Sequence, residues 1–204
     1  MADEHPKVAQ TGHEVHELIR RRWSPRAFDA QRVVPHDDLL KLFEAARWTP
    51  SSFNEQPWHF VVVDRRRTPE AFAALIASLS GRNPAWAASA PILVLVAVQV
   101  RPATASSDTS HAWYDTGQAV ANLTLQATAE GLSIRQMRGF DPEAARTACL
   151  VPSDFVPAVV MAIGHAGDPG TLAHERHRAD EQQPRERRPL SQFVFDGAWG
   201  RPFA

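Results

Sequence analysis

The segment of residues 48–64, WTPSSFNEQPWHFVVVD, carries small polar side chains between a predicted helix and an apolar run. The hydroxyls and amides belong to Thr49, Ser51, Ser52, Asn54 and Gln56. Pro50 and Pro57 flank most of them and hold φ at about −65°, so the loop is stiff. Such groups on a rigid loop suit an extended polar ligand with a planar ring. An ordinary connector with good turn residues is the alternative.

Arginines cluster at two places in the chain. One cluster comprises Arg20, Arg21, Arg22 and Arg26, and the other comprises Arg185, Arg187 and Arg188. The planar guanidinium group binds phosphate oxygens through paired hydrogen bonds, so both clusters are candidate phosphate sites. On an extended segment Arg185 and Arg187 would face the same way. Solvated side chains are the alternative, and we prefer it for Arg20 and Arg21, which a helix end would favour.

Several stretches, taken in chain order, resemble the nitroreductase family. Residues 50–60 match its pattern P-S-S-x-N-x-Q-P-W-x-F, and residues 22–28 match its pattern R-x-S-x-R-x-F. Gly139, Gly164 and residues 185–190 match further positions of that family. The resemblance covers most of the chain. It implies one domain over residues 1–204 that binds FMN at the interface of a homodimer.

The same resemblance implies roles for the arginine segments. Arg22 and Ser24 would hold the phosphate and ribityl end of FMN, and Arg185 with Arg187 would complete a phosphate clamp. Arg26 would lie near the pyrimidine side of the ring, where a cation stabilises the negative charge that reduction places around N1 and C2=O. Trp23 departs from the family, which usually has a small or polar residue there. It would either shield the phosphate edge or belong to the core.

The other FMN contacts implied by the resemblance lie in the loop and at two strand ends. They are Pro50, Ser51, Ser52, Asn54, Met137, Arg138, Gly139 and Gly164. The loop residues would bind the ring and ribityl chain of the FMN held mainly by the other subunit. Backbone N–H groups at Arg138 and Gly139 would approach flavin N5 and O4, since a glycine admits close backbone approach. A strand-to-helix turn also favours glycine, so this position alone is ambiguous. The positive Arg138 would favour anionic nucleotides or substrates.

Composition excludes several other classes of protein. With 22 Lys and Arg against 23 Asp and Glu, the net charge of −1 gives no overall attraction to nucleic acid or acidic membrane. Cys149 is the only cysteine, which excludes an internal disulfide and a cysteine-based metal site. The polar amino terminus lacks the apolar core of a signal peptide, and residues 91–98, the longest apolar run, are too few to span a bilayer. These features predict a cytoplasmic protein without nucleic-acid or membrane partners.

Motifs of other enzyme classes are missing from the sequence. It contains no G-x-G-x-x-G, no phosphate-binding loop of the G-x-x-x-x-G-K type and no G-x-S-x-G. The run His174-Glu175-Arg176-His177 lacks the spacing of a metal-binding helix and lies in a charged segment. We therefore expect no metal site and solvated side chains there.

Hydrophobic periodicity and capping residues predict the elements that position these groups. Helices are expected at about residues 15–24, 35–47, 69–80, 112–130 and 142–149. Strands are expected at 60–63, which would be buried, and at 92–98, 133–137 and 158–163. Residues 1–11 are expected to be a loose leader, 99–110 a loop, and 165–204 a carboxy-terminal arm with an edge strand at 190–195. The helix at 112–130 would be the central dimer helix, or simply a buried core helix.

Together these elements predict a fold of the α/β (α+β) class, a three-layer sandwich with a central mixed sheet flanked by helices, in an intertwined homodimer. The implied activity is that of an FMN-dependent oxidoreductase. NADH or NADPH would reduce the flavin by hydride transfer to N5, and nitroaromatic, quinone or similar conjugated acceptors would reoxidise it. Two alternatives stay open: a flavoenzyme with a dedicated substrate (dehalogenation, azoline oxidation or flavin fragmentation), and a flavin-binding protein with little turnover.

Overall fold

A four-stranded antiparallel sheet forms the centre of the protein, as seen in a computed structural model that describes residues 5–100 and 110–203. The strands are β1 (Trp58–Asp64), β2 (Ile92–Gln99), β3 (Ser133–Met137) and β4 (Phe155–Gly164). Their order in the sheet is β1-β2-β4-β3. β2 is buried along its length except at Gln99, as its continuous apolar sequence predicts.

Helices cover both faces of this sheet, which confirms the three-layer arrangement. The α-helices are α1 (Glu17–Arg21), α2 (His36–Arg47), α3 (Pro69–Ser78), α4 (Asn83–Ala87), α5 (Ser110–Ala129), α6 (Pro142–Ala148) and α7 (Glu175–Gln182). Alternate side chains of β2 point to opposite faces. Leu93 and Leu95 join the core cluster under α3, α4 and α6, whereas Val94 and Val96 join the cluster under α2 and α5.

Two expectations about the sheet were wrong in the part of the chain that is described. The sheet is antiparallel rather than mixed, because the connection between β1 and β2 leaves and re-enters at the same end: Asp64 pairs with Ile92. The alternation of strands and helices sets the layers but not the strand directions. The segment at residues 60–63 is also not a buried strand. It lies in β1 at the edge of the sheet, where His59 and Val62 are exposed.

Local sequence signals explain most helix boundaries. Asp141 caps α6, since its carboxylate accepts hydrogen bonds from the N–H groups of Glu143 and Ala144. Gly131 ends α5 with a φ of 71°, a conformation that favours glycine. The apolar face of α2 contains Leu42 and Ala46, which are buried, but Leu40 is 53% exposed. An apolar residue next to that stripe therefore reaches solvent in the single chain.

The arm differs most from expectation. It contains α7, whose polar sequence lacks the apolar periodicity used to predict helices. The expected edge strand at residues 190–195 is instead a 3-10 turn (Leu190–Gln192) followed by an isolated bridge between Phe195 and Pro202. Trp199 is almost fully exposed and contacts only the ring of Phe195 among the aromatic rings described.

The leader is partly held against the protein. The N–H of Ala9 donates to the carbonyl of Arg20 at 2.9 Å, and Nζ of Lys7 donates to the carbonyl of Asp180. Most of the loop expected at residues 99–110 falls outside the described residues, and Gln99 itself ends β2. Within residues 5–100 and 110–203, no helix is both long and apolar enough to cross a membrane.

Candidate functional site

Arg22, Arg185 and Arg187 line one groove of about 700 Å³ at the surface. Arg22 follows the last residue of α1, and its side chain is half-buried. Arg185 reaches from the arm to the end of α1, where its guanidinium donates to the carbonyls of Arg20 and Arg22. The two arginine segments, 163 residues apart in the chain, therefore meet in space as the phosphate-clamp hypothesis requires.

The charge in this groove is uncompensated. Burial lowers the pKa of the Arg22 guanidinium, and the positive Arg187 lowers it further. Burial likewise lowers the pKa of Arg185, with Arg22 and then Arg187 adding repulsion. No carboxylate in the described ranges forms an ion pair with any of these three arginines. A dianion such as a phosphate monoester would relieve this repulsion.

An unsatisfied donor of Arg185 also favours an anionic ligand in this groove. Nε of Arg185 is buried, and no described residue offers it a hydrogen-bond partner. A buried donor without a partner costs free energy, and native structures rarely leave one unsatisfied. The groove thus has the donor chemistry that the phosphate of FMN requires.

Ser24 and Trp23 lie between this groove and the interior. The hydroxyl of Ser24 accepts a hydrogen bond from Arg22 at 3.2 Å, and its carbonyl accepts one from Arg135. Trp23 is half-buried, and its ring lies 5.1 Å from that of His5 and 5.8 Å from Nζ of Lys7. The tryptophan thus packs against the amino-terminal segment.

Arg26 is in a different electrostatic setting from Arg22. Its guanidinium forms an ion pair with Asp180 of α7 at 3.2 Å, and its backbone N–H donates to Glu181 at 3.1 Å. Next to it, burial lowers the pKa of Arg135 to about 10, with repulsion from Arg26 as the second cause. Sequence reasoning placed Arg26 at the flavin ring but missed these two acidic partners, because nothing in the primary structure marks α7.

The polar loop has an unusual backbone. Phe53, Asn54 and Gln56 have φ values of 49°, 57° and 49°, in the left-handed region that residues other than glycine rarely adopt. Such conformations persist only where surrounding structure enforces them, and they concentrate at functional sites. The ring of Phe53 is 95% exposed.

Two polar residues of α5 hold this loop. The carboxylate of the buried Asp115 accepts the N–H of Ser52 at 2.9 Å, and Asn122 donates to the hydroxyl of the buried Thr49 at 2.7 Å. Within the loop, the hydroxyl of Ser51 accepts the N–H of Gln56. The seven-residue spacing of Asp115 and Asn122, two helical turns, is the signal that would have placed both on the face toward the loop.

The end of β3 was expected to present backbone to the flavin. Arg138 is exposed, and the side chain of Met137 is buried in the core. A Cβ on Gly139 would lie 2.9 Å from Nδ2 of Asn83 and 3.0 Å from Oγ of Ser80. A larger residue there would require the side chains of Ser80 and Asn83, just before and at the start of α4, to shift, and sequence reasoning missed both residues.

Gly164 also has a packing reason. A Cβ there would lie 2.7 Å from Cδ of Pro91 and 3.1 Å from Cδ1 of Phe28. The glycine is buried at the end of β4. This crowding accounts for the residue without a ligand, so its assigned contact with FMN stays a prediction.

A single chain does not bring all of the predicted residues together. The arginine groove is lined by residues of α1, the leader and the arm, and Pro50, Ser51, Ser52 and Asn54 do not line it. His177, expected to be solvated, is buried in α7. Among the residues with described positions, no group of three or more His, Cys, Asp or Glu is arranged to hold a metal ion.

Comparison with known proteins places the chain in a family. A sequence model of the nitroreductase family matches residues 19–165, and the protein belongs to that family. A 15.4-kDa protein of uncharacterised function from the ask 5′ region of Mycolicibacterium smegmatis is 41% identical over 135 residues, which are 65% of this chain and 87% of that protein. The Bacillus subtilis protein named "Putative NAD(P)H nitroreductase YdgI" is 26% identical over 190 residues, which are 78% of this chain and 91% of that protein.

Solved structures agree on the fold. A crystal structure described as that of an oxidoreductase containing FMN superimposes with a TM-score of 0.87 at 28% identity. The match covers 98% of this chain and 100% of that one. A nitroreductase family protein from Streptococcus pneumoniae, at 20% identity, superimposes with a TM-score of 0.71 over 88% of this chain and 98% of its own.

Proposed function

We propose that this protein is an FMN-dependent oxidoreductase that takes electrons from NADH or NADPH. The observation that carries the proposal is the arginine groove, in which three guanidinium groups meet and, among the described residues, no carboxylate pairs with them and the buried Nε of Arg185 has no partner. In a chain of the nitroreductase family, the phosphate of FMN is the anion that best fits this groove. The FMN named in the description of the similar oxidoreductase supports the same assignment.

The chain offers distinct groups for each part of the cofactor. Arg22, Arg185 and Arg187 would hold the phosphate, and Ser24 would contact the ribityl chain. The stretch from Arg22 to Arg26 spans at most about 13 Å, since an extended residue covers roughly 3.3 Å. Arg26 can thus lie beside the ring of an FMN whose phosphate is in the groove. Gly139 and Arg138 would present backbone N–H groups to the far edge of that ring.

When bound, FMN would supply two-electron redox chemistry between the nucleotide and a second substrate. Overall, NAD(P)H loses a hydride from its nicotinamide ring. A quinone acceptor takes up two electrons and two protons to become a hydroquinone, one of those protons coming from solvent. Side chains of this protein orient the two substrates in turn, and Arg138, which is exposed at the end of β3, would attract the anionic nucleotide.

We propose further that the active form is a homodimer. The loop with Ser51, Ser52 and Asn54 does not line the arginine groove of its own chain, although its strained backbone is typical of a functional site. In a two-fold dimer this loop would reach the FMN held by its partner, so that each site needs both chains. Exposed apolar side chains on α2 and α5, including Leu40 and Trp113, would be covered in such an assembly.

An absorption spectrum of the purified protein, followed by anaerobic addition of NADPH and NADH in turn, tests this proposal. We expect flavin bands at about one FMN per chain that bleach with at least one nucleotide and return on addition of a quinone or nitroaromatic compound. Bands that stay oxidised with both nucleotides would favour a dedicated substrate or a binding role. No flavin after reconstitution with FMN would overturn the assignment of the cofactor. Sedimentation at twice the 22.6-kDa chain mass would support the dimer.

A further inference from the structure

Two acidic residues of α7, Asp180 and Glu181, contact Arg26, the arginine expected beside the flavin ring. Asp180 lies 3.2 Å from the guanidinium of Arg26 through Oδ2, and Glu181 accepts the backbone N–H of the same residue through Oε1. Glu181 is only 3% exposed, and its other oxygen, Oε2, is buried with no hydrogen-bond partner within residues 5–100 and 110–203. Glu181 thus places a carboxyl group inside the protein next to Arg26.

The two carboxylates are matched by cations that arrive from three parts of the chain. Lys7, from the leader, donates to the carbonyl of Asp180. Arg135, from β3, donates to the carbonyl of Ser24, and its guanidinium lies 5.4 Å from the centre of the Trp86 ring. Burial lowers the pKa of both Lys7 and Arg135, and Asp180 and Glu181 oppose that shift, so they lie close enough to affect both cations. We call these five residues, Lys7, Arg26, Arg135, Asp180 and Glu181, the charge cluster.

We infer that Asp180 and Glu181 tune the redox potential of the bound FMN by compensating the positive charge of Arg26. The inference rests on the proposed function, because it requires FMN with its pyrimidine edge near Arg26. Reduction adds negative charge to that edge, which nearby cations stabilise and nearby carboxylates oppose. The acidic pair therefore holds the potential lower than Arg26 and Arg135 alone would set it. The two residues act through Arg26 and are positioning residues.

The test compares charge-removing variants at α7 with a matched control on the same helix. Asp180→Asn and Glu181→Gln keep the size and shape of each side chain but remove its charge. Glu175→Gln makes the same chemical change at an exposed position in the first turn of α7. Asp180→Glu retains the charge and serves as the conservative variant. The midpoint potential of bound FMN is measured by equilibration with a reference dye, and the dissociation constants of oxidised and reduced FMN are measured separately.

We expect Asp180→Asn to favour reduced over oxidised FMN by about tenfold, a rise of about 30 mV for a two-electron couple. Glu181→Gln should shift the potential in the same direction, whereas Glu175→Gln and Asp180→Glu should stay near the wild type. If Asp180→Asn fails to fold, Glu181→Gln decides the question alone.

Other results would overturn the inference. A potential equal to that of the wild type in the folded, FMN-loaded variants would mean that the acidic pair only fixes α7, even if thermal stability falls. A shift of the same size in Glu175→Gln would mean that the effect is not specific to Arg26. Wild-type protein that binds no FMN would overturn the proposed function itself and this inference with it, whereas a loaded and reducible wild type with unshifted variants would overturn the inference alone.

Discussion

Arg22 and Arg26, four residues apart in one segment, have opposite electrostatic surroundings. Arg22 shares a groove with Arg185 and Arg187, and no described carboxylate pairs with it. Arg26 lies against α7, where Asp180 and Glu181 compensate it. The sequence pattern R-x-S-x-R-x-F treats both residues as cofactor contacts. The structure separates a cation available for a ligand from one whose charge is already balanced.

This difference shows how charge compensation indicates the role of an arginine. Three guanidinium groups held together without a described carboxylate repel one another, which costs free energy in the ligand-free protein. An anionic ligand removes this repulsion and therefore binds more tightly. A guanidinium paired with a half-buried carboxylate instead contributes to folding, and removing it leaves that carboxylate without its partner. The groove should therefore respond to mutation mainly through ligand affinity, and the charge cluster mainly through stability and redox potential.

The largest effect is expected for Arg22→Ala on binding of FMN. Losing one charge-assisted hydrogen bond to phosphate, worth about 1.5–3 kcal/mol, should weaken the affinity about 10–100-fold. Titration of the apoprotein with FMN, followed by quenching of flavin fluorescence, measures this. Arg187→Ala should act in the same direction, whereas Arg21→Ala, at the exposed neighbouring position, should leave the affinity unchanged. Unchanged affinity in both groove variants would mean that the phosphate lies elsewhere.

Arg26→Ala should instead reduce the stability of the FMN-free protein. It removes the guanidinium that pairs with Asp180, while Lys7 and Arg135 remain near the acidic pair, and we expect the free energy of unfolding to fall by about 1–3 kcal/mol. This is less than for a fully buried pair, because Asp180 is partly solvated. Urea unfolding of the apoprotein is the measurement, with Arg22→Ala as the matched comparison. If both variants were equally stable, the contrast between the two arginines would have no energetic basis.

Sequence reasoning succeeded where a local signal was sufficient. The Asp141 cap and Pro142 defined the start of α6, and the continuous apolar run of β2 predicted a strand at the centre of the sheet. The resemblance brought Arg22 and Arg185 into one hypothesis, and the structure places them in contact. It failed for α7, because that polar helix is held by an ion pair and hydrogen bonds to distant parts of the chain rather than by an apolar face. The exposure of β1 and the direction of the strands depend on neighbours that no local pattern encodes.

Asp115, which holds the polar loop, is the opposite of the groove arginines: it is a buried carboxylate with no described ion pair to a cation. Its partners are the N–H of Ser52 and the amide of Gln118. Asp115→Ala would leave the Ser52 N–H without an acceptor, and we expect the free energy of unfolding to fall by about 1–2 kcal/mol. Urea unfolding and FMN titration of the same variant measure stability and loop function together.

Asp115→Asn keeps an acceptor for the Ser52 N–H and serves as the control, which should retain most of the stability. A stability loss in Asp115→Ala without any loss of FMN affinity would separate the loop from the ligand site. The uncompensated carboxylate would then be a backbone anchor only, unlike the uncompensated arginines of the groove.

The smallest effect concerns backbone strain, and it compares the loop with a site that has no assigned role. Phe53 and Leu150 are both exposed residues with left-handed φ values, of 49° and 53°. Replacing either by glycine relieves steric strain but adds unfolded-state entropy, for a net gain of at most about 1 kcal/mol in the free energy of unfolding. Thermal unfolding of Phe53→Gly and Leu150→Gly measures this gain. Only Phe53→Gly should also weaken binding of FMN, because it loosens the backbone that positions Ser52 and Asn54. An equal loss of affinity in Leu150→Gly would show that the strain in the loop has no special connection with the cofactor.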